Sequence, residues 1–422
     1  MGGLRDNLAV KVGIDAVGIE RVALALKRSG PSFLAKAYTE AEIAYCGDSA
    51  ERLAGRWAAK EAVIKCFDGT GICFPRRRIE VLPSPGGAPR VRLLGDQSGA
   101  VVELSITHHS GLAVAAATLT LPGLDGAEPL LSVPPDALDL PDRPRDGHKG
   151  TFGTVVVLAG SRGLTGAAYL ASTAAARAGA GMVRLLVAES IYPILAGKCT
   201  EVMATPVSEV TPGAVGHLAH EVVARHFQAA KAGLIGPGLG RDSSTWRVIN
   251  DLVLEIACPL VVDADGLNAL ADNRRTLSRL PRGRVLTPHP GEMSRLTGRP
   301  TPTGSAERRE LASAAAREWK AVVVLKGAKT VVAAPDGQVS EDSHEVPALA
   351  SGGTGDVLGG LIAGLISQGL DPFTAAVAGV YVHAEAGRRI ALRQGDAGLL
   401  ASDLLAEIPL VQRLLREGRV ER

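Results

Sequence analysis

The chain has 422 residues, enough for two or three domains, and 46% of them are hydrophobic while only 3% are aromatic. With 50 glycines and a formal charge of +2, it excludes a disordered or disulfide-built class and gives no mandate for nucleic acid or a membrane surface. An α/β architecture packed from Ala, Val and Leu against glycine turns is expected.

The five cysteines, Cys46, Cys66, Cys73, Cys199 and Cys258, form no Cys-x-x-Cys pair, which argues against a structural zinc site and suits a reducing cytoplasm. The first ten residues lack a signal-peptide core and no later apolar run reaches bilayer length, so a soluble chain is expected. In chain order, Val10 to Ile14 reads as a short strand ending in Asp15, and Glu20 to Lys27 as an amphipathic helix. ERLAGRWAAKEAVIKCF, from Glu51, reads as a second helix, with Glu61 and Lys65 one turn apart; alone, such a pair is a solvated salt bridge. The run Arg76, Arg77, Arg78 reads as a solvated basic turn rather than as a receiver of phosphate or of a partner's acidic groups, and His108 in LSITHHS as a polar residue beside a strand.

From Leu121 to His148 the sequence is dense in Pro, Gly and Asp without sustained periodicity, which places a domain boundary near Asp125. Two domains, 1–124 and 125–422, are expected. Beyond the boundary, apolar strands alternate regularly with helices: TVVVLAG, KAGLIGPGLG, CPLVVDADGLNAL, RVLTPHPGE and AVVVLKGAKTVVA. That alternation describes a mostly parallel sheet covered on both faces, with ligands at the loops after the strands. The informative loops are 236–240, 263–268, 289–292, 326–330 and 352–356.

In the last loop, SGGTGD, glycines leave the backbone free to wrap an anion, and the Ala- and Leu-rich run after it reads as a buried helix pointing N–H groups at that anion. Asp356 carries a charge that opposes such a ligand. It either caps the helix or takes a proton from a nucleophile aimed at the phosphate.

Two resemblances organise these signals. GIDAVGIERV, YTEAE, RWAAKEAVIK, IEVL and LSITHHSGLAVAAATL, over about residues 10–120, resemble the holo-acyl-carrier-protein synthases, the small phosphopantetheinyl transferases. That resemblance implies an α+β domain that moves phosphopantetheine from coenzyme A to a serine of an acyl carrier protein. It implies Mg²⁺ held at Asp15 and Glu61, Lys65 and His108 near the phosphates, Arg21 on the helix that meets the carrier, and a homo-oligomer with sites between subunits. HKGTFGTVVVLAGS, TGAAYLASTAAARAGAG, GPGLG, DADGLN, TPHPGE, LKGAKT and GGTGD, over about residues 130–415, resemble the nicotinamide-hydrate dehydratases, relatives of the ribokinase-type kinases.

The second resemblance implies a ribokinase-like α/β domain that dehydrates hydrated NADH or NADPH, by resemblance the S form, at the expense of ADP or ATP. It implies Asp356 as the base, nucleotide contacts from Lys326, Gly327, Ala328, Lys329, Thr330 and Gly355, and a hydrate pocket at Ala167, Gly238 and His289 with Asn268 and Glu292 as polar neighbours. A sugar or vitamin kinase would use the same turn and base, and a half kept only for binding or assembly is the non-enzyme alternative.

Overall fold

The computed structural model describes residues 10–67, 74–84, 86–94, 100–120, 138 and 140–417. Cys73 and the proposed boundary at 124/125 lie outside them. The chain divides into two compact units, residues 1–129 and 130–422.

The first unit runs β1 (Val10–Gly18), α1 (Ile19–Ala37), α2 (Glu40–Cys46), α3 (Ala50–Cys66), β2 (Ile79–Pro83), β3 (Pro89–Leu93), β4 (Val101–His109) and β5 (Leu112–Thr120). β5 pairs antiparallel with both β1 and β4, and β2 with β3. The strand expected to end at Asp15 continues to Gly18, because β5 pairs it as far as Leu112, so Asp15 sits inside the strand opposite Ala115. The first helix is longer than its amphipathic stretch and is broken at Gly30, ahead of Pro31. α3 lays Ala54, Ala58, Ala59 and Ala62 on Ala113, Ala115 and Ala117 in one buried cluster. Such small side chains let helix and sheet approach closely: a Cβ on Gly13 would stand 2.0 Å from the Ala62 carbonyl oxygen. This closeness carries residues 61 and 65 of α3 up beside β1.

In the second unit come β6 (Thr154–Leu158), α4 (Thr165–Arg177), β7 (Met182–Ala188), α5 (Tyr192–Lys198), β8 (Met203–Val207), β9 (Glu209–Thr211), β10 (Ala214–Val215), α6 (His220–Gln228), β11 (Ala232–Ile235), α7 (Ser243–Glu255), β12 (Leu260–Val262) and α8 (Asp265–Asp272). They are followed by β13 (Arg284–Leu286), α9 (Pro290–Thr297), α10 (Ser305–Trp319), β14 (Val322–Leu325), β15 (Val331–Ala333), β16 (Val339–Glu341), α11 (Thr354–Ser367), α12 (Pro372–Gln394) and α13 (Ala401–Arg416). Among the described residues one nine-stranded sheet has the order β16-β15-β14-β13-β12-β11-β6-β7-β8. It is parallel from β14 to β8 and antiparallel only at β15 and β16. Every residue of β11 and β14 is buried, which requires cover on both faces. No helix among the described residues is long and apolar enough to cross a membrane.

α11 is apolar all round, with Thr354 and Val357 through Ser367 buried, and is therefore a core helix. Its glycines set the spacing to α4: a Cβ on Gly360 would lie 2.0 Å from the Ala171 carbonyl oxygen.

Candidate functional site

β11, β12, β13 and β14 are adjacent and parallel, so the loops after them leave the sheet at the same edge. Each loop keeps the ladder going for one more step. The Asp263 N–H donates to Ile235 O at 3.1 Å, Thr287 N–H to Val262 O at 3.2 Å and Lys326 N–H to Pro288 O at 2.8 Å. Asp263, Lys326 and His289 are thereby held by strand-like backbone rather than by free loops.

The backbone after β12 is tight. Ala264 has φ 50°, a region that favours glycine, and Gly236 beside it has φ 131°, with a Cβ there falling 1.9 Å from the Asp263 carbonyl oxygen. Asp263 is 1% exposed, and its Oδ1 accepts from Lys326 Nζ at 2.8 Å. The same ammonium lies 3.9 Å from Glu292 Oε2. Burial works against the Lys326 charge, but Asp263 and Glu292 outweigh it and hold its pKa above that of an ordinary lysine.

Asp356 occupies the first turn of α11, whose N-cap is Gly353 at φ 91° and which has no side-chain capping bond. As an acidic residue in the first turn it complements the helix N-terminus, and that does not bar it from chemistry. Burial and the nearby Asp263 raise its pKa from 3.8 to about 7, with Lys326 pulling the other way. The glycine at 355 keeps this turn close to the lysine: a Cβ there would be 3.2 Å from Lys326 Nζ.

His289 is the N-cap of α9. Its Nδ1 accepts from the N–H groups of Gly291 and Glu292 at 3.0 and 3.3 Å, while Glu292 Oε2 accepts from the His289 N–H at 2.8 Å. With Nδ1 spent as an acceptor, the ring proton is on Nε2. Burial and the charges of Lys326 and Arg295 hold this imidazole below its usual pKa. Ala167 and Gly238 adjoin one another, since a Cβ on Gly238 would come 2.9 Å from the Ala167 Cβ. Asn268 is held between Asp265, to which it donates at 3.1 Å, and Arg295, from which it accepts at 3.1 Å.

Beside this cluster a cavity of about 370 Å³ is lined by Lys326, Gly327, Ala328, Thr330, Gly355, Asp342, His344 and His383, among others. That size suits a nucleotide. Lys329 is not among its lining residues; its ammonium pairs with Glu345 at 2.9 Å on the surface. Ala167, Gly238, His289 and Asp356 are not among its lining residues either, so the residues expected to hold the hydrate stand apart from those that line this cavity.

Sequence reasoning did not single out the two histidines here. His383 Nε2 donates to the Thr354 carbonyl oxygen at 2.9 Å, and burial lowers its pKa to about 4, so it is neutral. His344 is the reverse. Its Nδ1 lies 2.7 Å from Asp342 Oδ1 and its Nε2 3.0 Å from Glu385 Oε2, which demands two N–H donors. Burial opposes that charge, yet the two carboxylates raise its pKa to about 9. No motif announced either residue; for His383 the available signal was its place, with Glu385, in the apolar run AAVAGVYVHAEAG of α12, and for His344 there was none.

In the first unit a cavity of about 460 Å³ is lined by Asp15, Arg21, Phe33, Trp57, Glu61 and Arg76, among others. The expected pairing of Lys65 with Glu61 gives way to a different arrangement. Lys65 Nζ turns across to β1 and donates to Asp15 Oδ1 at 2.8 Å, while Glu61 pairs with Arg76. Arg76, expected as a solvated turn residue, is half exposed but paired, and it also lies over the Trp57 ring, 4.9 Å from its centroid. His108 is not among the residues lining this cavity; its Nε2 is buried without a hydrogen-bond partner and 2.8 Å from where a Gly55 Cβ would be.

Asp15 and Glu61 offer hard oxygen donors from two elements to one cavity, and no cluster of three His, Cys, Asp or Glu residues gathers among the described residues. That donor set fits Mg²⁺, which takes one or two carboxylates and completes its shell with water and phosphate oxygens.

Residues 155–410 match the NAD(P)H-hydrate dehydratase family, and residues 11–117 match the 4'-phosphopantetheinyl transferase superfamily. The bifunctional NAD(P)H-hydrate repair enzyme of Moorella thermoacetica is 46% identical over 278 residues, 66% of this chain and 52% of that protein. The chain therefore spans about half the length of such bifunctional relatives. The ADP-dependent (S)-NAD(P)H-hydrate dehydratase of Xanthomonas campestris is 38% identical over 273 residues, 64% of this chain and 92% of the relative. Among solved structures, the ADP/ATP-dependent NAD(P)H-hydrate dehydratase of Bacillus subtilis, co-crystallised with ATP and Mg²⁺, is similar with a TM-score of 0.55 and 33% identity, covering 65% of this chain and 94% of that one.

Proposed function

The chain belongs to the NAD(P)H-hydrate dehydratase family through residues 155–410, with a region of the 4'-phosphopantetheinyl transferase superfamily ahead of it, and from that premise we propose a bifunctional enzyme. Its second unit dehydrates the S form of hydrated NADH or NADPH with ADP, giving AMP and phosphate. The observation that carries this reading is Asp356: a carboxylate in the first turn of α11, beside Lys326 and Asp263, with its pKa raised by burial to about 7.

Hydroxide is a poor leaving group, phosphorylation converts it into a good one, and a base near neutrality can assist that transfer. Asp356 takes the proton of the ring hydroxyl, and the oxygen attacks the terminal phosphorus of the nucleotide. AMP leaves, and the phosphate ester then departs from the ring far more readily than hydroxide would. The N–H groups of residues 352–355 hold the transferring phosphoryl group, and Lys326 neutralises its charge. Lys326, Gly327, Ala328, Lys329, Thr330 and Gly355 receive the nucleotide, and Ala167, Gly238 and His289 the hydrate. ADP or ATP can occupy the same loops.

The first unit transfers 4'-phosphopantetheine from coenzyme A to a serine of an acyl carrier protein. Asp15 and Glu61 would hold Mg²⁺, which would offset charge on the leaving nucleotide. Lys65 and His108 serve the phosphates, and Arg21, on the cavity wall, meets the acidic carrier in a homo-oligomer. Both activities belong in the cytoplasm, where Cys46, Cys66, Cys199 and Cys258 stay free thiols. Neither half is assigned a nucleic acid or membrane partner.

The test is an incubation of the full chain with purified NADH hydrate and ADP or ATP in parallel. Recovery of NADH absorbance with release of AMP and phosphate supports the reading; a stable phosphorylated product instead would make the unit a kinase. Mass gain of an apo carrier protein on incubation with coenzyme A tests the first unit.

A further inference from the structure

Removing water from a hydrated double bond takes away two protons: one with the hydroxyl oxygen, and one from the neighbouring ring carbon. Asp356 accounts for the first. Still protonated when the phosphate leaves, it is poorly placed to accept the second.

A second carboxylate stands on the other side of the same lysine. Glu292 is 5% exposed, and its Oε2 lies 3.9 Å from Lys326 Nζ, whose own Asp263 bond is 2.8 Å. Its bland role is the capping box of α9, but that box uses Oε2 alone, through the His289 N–H. Oε1 faces the His289 ring at 3.5 Å, the expected hydrate-pocket side, at a length too great for a strong hydrogen bond. One oxygen fixes the group to the helix, and the other is held only by this long contact to the His289 Nε2–H. The charged neighbours are Lys326, Asp263 and Arg295, with His289 neutral in its capping tautomer. Burial first, and then Asp263, raise its pKa to about 7 against the pull of Lys326, a state a surface cap has no use for.

The geometry points to Glu292 as the second proton acceptor of the reaction, taking the ring-carbon proton as phosphate leaves. This rests on the dehydratase reading above. The C–O bond breaks with its electron pair going to phosphate, the C–H pair becomes the restored ring double bond, and the proton goes to Glu292. Counting both steps, the hydrate and ADP yield the reduced nicotinamide, AMP and phosphate, and both carboxyls return their protons to solvent.

Glu292→Gln keeps an oxygen for the capping box and removes the base. With the full chain, NADH hydrate and ADP mixed rapidly and quenched, wild type is expected to release AMP and NADH together. The variant is expected to release about one AMP per site quickly and then stall, with NADH recovery slowed about 100-fold or more. AMP and NADH slowed in parallel, or NADH recovered at near the wild-type rate, overturns the assignment. Loss of ADP binding by the variant overturns it as well, because Glu292 would then be a structural cap. Failure of wild type to recover NADH at all would instead sink the underlying function.

Discussion

Lys326 Nζ reaches across the end of β13 to bond Asp263 Oδ1 at 2.8 Å, joining two residues 63 positions apart. Asp263→Asn leaves the lysine short of its main counter-charge and is expected to cost about 3–5 kcal/mol of stability. Because Asp263 also raises the pKa of Asp356, the acid limb of the dehydration rate profile should move to lower pH. Thermal melting and a pH–rate series check both; an unmoved limb would detach Asp263 from the base.

Asp356→Asn is expected to lower dehydration by at least about 10²–10⁴-fold while pantetheine transfer stays intact. Comparable loss of both would show that the units are not independent. In wild type the rate should rise with pH through about 7 as this carboxylate ionises. Stability runs the other way. The folded pKa is above the ordinary 3.8, so the group's contribution is full below about 4 and lost as pH rises through about 7. The Asn variant should therefore lose less stability than wild type between pH 4 and 8, by at most about 4 kcal/mol.

The strands of the second unit and the loops after them are legible in sequence because runs such as VVVL and LVV have no other comfortable home than a doubly covered parallel sheet. The Asp263–Lys326 bond is not legible, since only the strand order β14-β13-β12 brings the two together. The same limit explains the first unit. Helical spacing puts Lys65 one turn from Glu61, but it cannot say that β1 lies alongside and offers Asp15 instead. Asp15 itself reads as a strand end only until the pairing with β5 is known. His344 and Glu385 belong to no motif and meet only through the packing of α12 against the β16 side of the cavity.

His344→Gln removes one of two N–H donors demanded by Asp342 and Glu385 and is expected to cost about 3 kcal/mol at neutral pH, with weaker ADP binding. The wild-type advantage should be full below pH 6.5 and fade as pH rises through about 9, because the folded pKa is the raised one. Melting curves of both proteins at pH 6 and pH 10 test this; a constant gap would mean that His344 is not a buried cation.

Glu61→Gln is expected to reduce pantetheine transfer about 100-fold or more while NADH recovery is unaffected. Carrier-protein mass spectrometry reads the first and absorbance the second. Unchanged transfer would remove Glu61 from the metal assignment and leave its pairing with Arg76 as its role.

α11 has a consequence for the dehydratase site that reaches beyond packing. Its burial means that the backbone amides of its later turns should exchange with deuterium only when the whole unit unfolds. The turn at residues 351–355, proposed to hold phosphate, leads directly into that slow-exchanging block, so its donors are expected to stay aimed with or without a nucleotide. On that expectation, the reorganisation that a flexible loop would undergo in every turnover is completed once, during folding. Amide exchange in the surface loops, unlike that of α11, is then expected to respond to ligand.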